Sequence, residues 1–186
     1  MPLESSLQAP LLAAVPNLRA FAISLCGSVD RADDLVQETL LRGIAHIQSF
    51  TPGTNLAAWL TTIMRNTFIN DRRKRSHSVE DPKGAFAATL TTQPEQEGHA
   101  QHRELQSALL KLPLDQREAI VLVGGQGLSY AEAAEICHCA VGTIKSRTNR
   151  ARTKLAELMS IAHADELGPD PFVQAALCGD NLNWAA

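Results

Sequence analysis

Hydrophobic positions recur along most of the chain at intervals of three and four residues, the period of helices buried on one side. Residues 10–25 read as a first helix, with Pro16 an obstacle inside it. A second follows Asp30, which can cap it, and carries Leu35, Val36, Leu40, Ile44 and Ile47 at helical spacing. Its other face shows Asp33, Asp34, Gln37, Glu38 and Arg42, and on periodicity alone those charges form a solvated surface. Thr51-Pro52-Gly53-Thr54-Asn55 signals a turn. The third helix, residues 56–75, contains Trp59, Ile63, Asn66 and Asn70 and ends in a basic run. Residues 101–112 and 114–123 read as two more helices parted by Pro113.

The strongest local signals lie in residues 129–155. Ser129 and Glu132 form an S-x-x-E capping box, each satisfying a backbone donor at the start of a short helix. Ala134, His138 and Ile144 then stand at the spacing of a helix-turn-helix: a close-packed small residue, a left-handed turn residue and an apolar residue of the second helix. A positive φ costs most side chains on the order of 1 kcal/mol, so Gly is usual at the turn. His is among the residues that visit that region more often than most.

The second helix of the pair reads VGTIKSRTNRARTKL over residues 141–155, with five basic side chains and no carboxylate. Val141, Ile144, Thr148, Ala151 and Leu155 predict one buried stripe. Thr143, Ser146, Asn149, Arg150 and Thr153 fall opposite it, with Arg147 and Lys154 beside them. A helix that hides one side and offers hydroxyls, an amide and guanidinium groups on the other can read the DNA major groove.

Composition bounds these readings. In 186 residues with 45% hydrophobic and 4% aromatic content, helices are favoured over sheets and one or two small domains fit. No apolar run approaches the roughly 20 residues of a membrane span, and no secretion signal stands at the N-terminus, so no membrane association is expected. Four scattered cysteines, Cys26, Cys137, Cys139 and Cys178, make no disulfide framework and fit a reducing cytoplasm. Cys137-His138-Cys139 offers metal-ligating atoms, but zinc sites use spaced pairs, and small buried hydrophobes at the turn are the plainer reading. No metal or other cofactor is expected.

Charge is uneven. The net is −3, yet basic residues concentrate at 72–75 and 145–154, which points to two contacts with a polyanion. Residues 76–100 carry no sustained period, hold Pro82, Gly84, Pro94 and Gly98, and are acidic, so they read as a linker. Extended, such a linker reaches roughly 80 Å. Two turns of B-DNA measure roughly 70 Å, so one chain could hold two elements about two turns apart. Residues 161–186 form an acidic tail.

Three segments carry a family resemblance: DRADDLVQETLL at 30–41, FTPGTNLAAWLTTIMRNTFIN at 50–70, and LPLDQREAIVLVGGQGLSYAEAAEICHCAVGTIKSRTNRARTKL at 112–155. In this order they resemble an extracytoplasmic-function (ECF) sigma factor. The combination PGTN-L-x-x-W-L, M-R-N-T, V-E-D-P and A-E-I-C-x-C-A-V-G-T-I-K-S-R is similar to the alphaproteobacterial general stress response group, in which Gly usually stands where this chain has His138.

The resemblance implies an all-α chain of two small helical domains. Sigma domain 2 would take residues 1–75, the linker 76–100, sigma domain 4 residues 101–160 and the tail 161–186. It implies that Asp33, Asp34, Gln37 and Glu38 meet the clamp helices of the RNA polymerase β′ subunit. Asn55, Trp59, Ile63 and Asn66 would recognise and help melt the −10 promoter element, with Arg72, Arg73 and Arg75 on phosphates. A Trp on an apolar helix face is more often core, so both roles stand for Trp59. Lys145, Ser146, Asn149 and Arg150 would read −35 bases, with Arg147 and Lys154 on phosphates. The linker would thread the polymerase cleft, and a NepR-type anti-sigma factor would hold the chain inactive.

Other classes fit less well. An ordinary helix-turn-helix regulator needs no PGTN turn or second basic helix end. A sigma-like mimic that binds only the anti-sigma factor would need a receiver domain and would not need the basic face. An enzyme finds no support: Gly124-Gly125-Gln126-Gly127 lacks the dinucleotide-binding spacing, and no catalytic residue is indicated.

Overall fold

The computed structural model describes the backbone of residues 5–78 and 97–160, and side chains for residues 7–75 and 103–160. Among the described residues every regular element is helical. The chain divides into two compact units between Leu90 and Thr91. Most of the expected linker (79–96) and the acidic tail (161–186) lie outside the described residues. The ends of that linker are helical: the third helix runs on to Ser78 and the fourth begins at Glu97.

The first unit holds α1 (Ser5–Cys26), α2 (Val29–Ala45), a 3₁₀ turn at Ile47–Ser49, and α3 (Leu56–Ser78). All three helices pack on one another. Leu18, Phe21, Ala22, Ala32, Leu60 and Met64 make the core, each large apolar side chain contributing about 1.5–3 kcal/mol through burial. Pro10 and Pro16 both lie inside α1. The hydrogen bond that Pro16 forgoes would have reached the carbonyl of Leu12, a residue 72% exposed, so water can take the partner's place and the helix continues.

Leu7–Cys26 is a 20-residue stretch holding a window of mean hydropathy 1.5, long and apolar enough by composition to span a membrane, where the sequence reading expects no such run. In this unit its inward side supplies Leu18, Phe21 and Ala22 to the core. The cap of α2 is Ser28, not Asp30. Asp30 sits in the first turn, where its charge meets the positive end of the helix dipole.

Gly43 fixes how closely α2 and α3 approach. A Cβ there would stand 2.7 Å from Leu60 Cδ2 and 3.6 Å from Trp59 Cζ3. Helix propensity alone would make Gly43→Ala stabilising by about 1 kcal/mol. Leu60 is fully buried, so its Cδ2 can give way only by displacing packed neighbours, and overpacking costs about 1–3 kcal/mol. The expected net result is a loss of about 1 kcal/mol, read as a lower denaturation midpoint. A variant as stable as the parent would show that Leu60 has room to give.

The second unit holds α4 (Glu97–Leu110), α5 (Leu114–Ile120), a π-helical segment (Val121–Gly125), α6 (Tyr130–Cys137) and α7 (Val141–Leu158). The helix expected over 114–123 thus loosens at Val121. There Gln126 N–H donates to the Val121 carbonyl at 2.9 Å, and Leu128 N–H to that of Leu122 at 3.1 Å. The paired glycines Gly124 and Gly125, poor helix formers, permit the wider turn. Helices α4, α5 and α6 all pack on α7, whose Ile144, Ala151 and Leu155 are fully buried.

Candidate nucleic-acid interface

Helix α6 begins with the expected capping box. Ser129 Oγ accepts from Glu132 N–H at 3.2 Å, and Glu132 Oε2 accepts from Ser129 N–H at 2.9 Å. It ends at His138, whose φ of 52° and ψ of 49° are left-handed. Cys139 N–H donates to the Ala134 carbonyl at 3.0 Å across the turn, closing it in the manner of a helix C-cap. Ala134 is buried against this turn and Ile144 is fully buried in α7. The helix-turn-helix is formed as its spacing predicted. Cys137 is buried and Cys139 half-buried.

The stripe of α7 is buried at Ile144, Thr148, Ala151 and Leu155, but Val141 is 41% exposed. Val141 opens the helix, where the turn beneath it is missing, so its side chain projects past the packed core. On the outward side Lys145, Asn149, Arg150, Thr153 and Lys154 are exposed and Thr143 and Ser146 half-buried. Asn149 and Arg150 make no side-chain hydrogen bond or ion pair among the described residues, so their donors face outward. Lys145 lies over the Tyr130 ring, its Nζ 5.7 Å from the centroid, a cation–π contact that limits its wandering. Ser146 Oγ donates to the Thr143 carbonyl at 2.9 Å and keeps its lone pairs for an incoming donor.

Arg147 and Lys154, expected on phosphates, are both engaged within the chain. Lys154 Nζ pairs with Glu157 at 2.8 Å one turn along α7. Arg147 Nε pairs with Asp115 of α5 at 3.1 Å, and its Nη1 approaches Cys139 Sγ at 3.9 Å. No local pattern showed Asp115, because it faces Arg147 across the fold.

The first unit presents a second surface. Asn55 caps α3, its Oδ1 accepting from Ala58 N–H at 3.1 Å. Along α3, Trp59, Ile63 and Asn66 share a face with it at helical spacing. Trp59 packs its ring against Phe50, centroids 5.5 Å apart and planes tilted by 52°, and reaches toward Gly43. Its half-buried ring is therefore a packing element of the α2–α3 contact. Ile63 is half-buried and Asn66 exposed; Arg72, Arg73 and Arg75 stand exposed along the last turns.

On α2, Asp33, Asp34 and Gln37 are exposed and Glu38 half-buried. Asp33 accepts from Arg19 of α1 at 2.7 and 3.2 Å, which raises the pKa of that guanidinium further. Glu38 pairs with Arg42 at 2.6 Å on its own helix. Among them stand two apolar side chains: Leu41 at 58% and Ile44 at 40% exposure. Periodicity predicts Ile44 in the buried stripe, but it stands exposed. By helical angle both fall on the acidic side of α2, away from Ala32, Leu35, Val36 and Thr39. Near the end of α1, burial pushes the Cys26 thiol pKa up, with Arg31 and Arg75 opposing. That thiol is a poor nucleophile.

Both units match known families. Residues 12–78 match Sigma-70 region 2 and residues 102–155 match Sigma-70, region 4. Together the two regions define the class, an RNA polymerase sigma factor. The chain is 59% identical over 180 residues to "ECF RNA polymerase sigma factor EcfG" of Rhodopseudomonas palustris, covering 97% of this chain and 99% of that one. It belongs to the ECF sigma factor family. Among solved structures it is similar to the sigma factor RpoE from Bartonella quintana, in complex with the anti-sigma factor NepR. The TM-score there is 0.78 at 47% identity, over 86% of this chain and 100% of that one. The anti-anti-sigma factor PhyR of the same organism gives a TM-score of 0.53 at 20% identity, over 84% of this chain and 52% of that one. That likeness shows the fold alone.

Proposed function

We propose that this sigma factor directs RNA polymerase to promoters of general stress response genes in the cytoplasm, acting as a non-catalytic specificity subunit. The first unit meets core polymerase and the −10 element, and the second reads the −35 element. The observation that carries the reading is the outward face of α7. Asn149 and Arg150 are exposed with their donors uncommitted among the described residues, and Lys145 is held over Tyr130, the side-chain chemistry that reads base edges. Arg72, Arg73 and Arg75 supply the phosphate contacts of the −10 region, while Asn66 and Ile63 line its base-facing side. The test is transcription in vitro with core polymerase on a promoter library. Enrichment of one paired −35 and −10 motif is expected, and transcripts without sequence preference would overturn the proposal.

The polymerase contact we assign to the mixed face of α2: Asp34, Gln37 and Glu38 with Leu41 and Ile44 among them, docking on the β′ clamp helices. Acidic side chains steer the encounter and the two apolar groups are covered on docking. Asp34 is a cleaner probe than Asp33, whose pairing with Arg19 also joins α1 to α2. Asp34→Lys with Glu38→Lys is expected to weaken core binding about tenfold or more while the melting temperature stays put. Undiminished capture of core polymerase by that variant would reduce this face to solvated surface.

A NepR-type anti-sigma factor is proposed as the inhibitor, competing for the same faces. The support is the sequence likeness to the Bartonella quintana protein crystallised with NepR.

A further inference from the structure

Arg147 differs from every other cation on α7 in what it touches. Its side chain is 25% exposed, against 53% for Lys154. By helical angle it stands on the flank of the helix, about 70° from the centre of the buried stripe, where it faces α5 and the turn. Its Nε meets Asp115 Oδ2 at 3.1 Å and its Nη1 meets Cys139 Sγ at 3.9 Å. Three segments therefore converge on one planar group: the first turn of α5, the turn between α6 and α7, and α7 itself. Asp115 is favoured where it stands independently of Arg147, because a carboxylate in the first turn of a helix meets the positive dipole end. Helix α5 is fastened in turn, since Arg117 Nη2 donates to the carbonyls of Leu110 and Leu112 at 3.1 Å each. Among the described residues Lys154 pairs with Glu157 on its own helix and bridges no second element.

We propose that Arg147 is a positioning residue for promoter reading. Its guanidinium clasps α5 and the interhelical turn to α7, and so sets the angle at which Lys145, Asn149 and Arg150 meet the groove. This rests on the reading of α7 as the −35 helix. A rigid fork suits the task, because it meets two partners in fixed directions where an ammonium would meet one. An ion pair to a half-exposed carboxylate adds little to global stability. The effect is therefore placed in discrimination among sequences, where small errors of angle are felt, and not in the melting temperature.

The test uses the full chain and a −35 duplex selected with the parent protein, beside a mismatched duplex. Asp115→Asn is expected to weaken the preferred duplex roughly three- to tenfold, to lower the ratio of preferred to mismatched binding, and to leave the salt slope unchanged. Arg147→Ala does the same, and the double variant is no worse than either single one, since both remove one contact. Arg147→Lys keeps the charge but not the fork, and stays close to Arg147→Ala. If Arg147 is instead a phosphate ligand, Asp115→Asn tightens binding to every sequence. Arg147→Ala then lowers the salt slope by about one with discrimination intact, and Arg147→Lys behaves as the parent. Any of these overturns the clasp. Lys145→Ala and Arg150→Ala run in parallel. If neither loses preferred binding, the −35 reading of α7 falls; if both lose it and Asp115→Asn does not, only the clasp falls.

Discussion

Calorimetric titration is expected to show the intact chain binding a NepR-type anti-sigma protein on the order of 10²- to 10⁴-fold more tightly than either unit alone. The argument is one of effective concentration. The two units are separately compact and covalently joined through residues 79–96. Once one unit is gripped, the other is confined near the same inhibitor. Exposed apolar side chains mark surfaces that gain by being covered, Leu12, Leu41 and Ile44 on the first unit and Val141 on the second. A half that reproduces the full affinity would show that the inhibitor grips one unit only. Membership of the sigma factor family would be untouched by that result.

On the preferred −35 duplex, Lys145→Ala, Asn149→Ala and Arg150→Ala are each expected to cost roughly 1–3 kcal/mol and to flatten discrimination among base variants. Asn149 and Arg150 are exposed and have no side-chain partner among the described residues, so truncation removes contacts to DNA without loosening the fold. Lys145→Ala also empties the space over Tyr130, and its loss should include a small part from less ordered presentation. Lys154→Ala is expected to weaken all sequences alike and to lower the salt slope by less than one full contact, because Glu157 already holds that ammonium. Binding curves for the four variants across salt concentrations check both halves of this prediction. Equal, sequence-independent losses at all four positions would sink the base-reading assignment.

Much of this was legible in the chain because its signals are local. Ser129 and Glu132 lie one turn apart, so a capping box can be read from spacing and is found as read. His138 stands where only a left-handed residue closes the turn, and it has that conformation. What failed to show depends on neighbours far along the chain. Periodicity placed Val141 and Ile44 on buried stripes, but it cannot tell that the core stops short of the first turn of α7. Nor does it show that the C-terminal half of α2 turns Ile44 outward. Pro16 looked like an obstacle because its missing hydrogen bond was visible, while the exposure of Leu12 that makes the loss tolerable was not. Arg147 read as one cation in a basic row until Asp115 was found beside it. Trp59 was ambiguous for the same reason: its ring is committed to Phe50 and the space over Gly43, a commitment made by tertiary packing alone.

The gap over Gly43 also constrains how this family can drift. Because the missing side chain at 43 is filled by Leu60, the two positions share a single allotment of volume. A lineage places a methyl at 43 at least cost when 60 shrinks in the same line of descent. Either change alone passes through an overfilled or hollow intermediate. Positions 43 and 60, on different helices, should therefore change together among relatives more often than either changes alone.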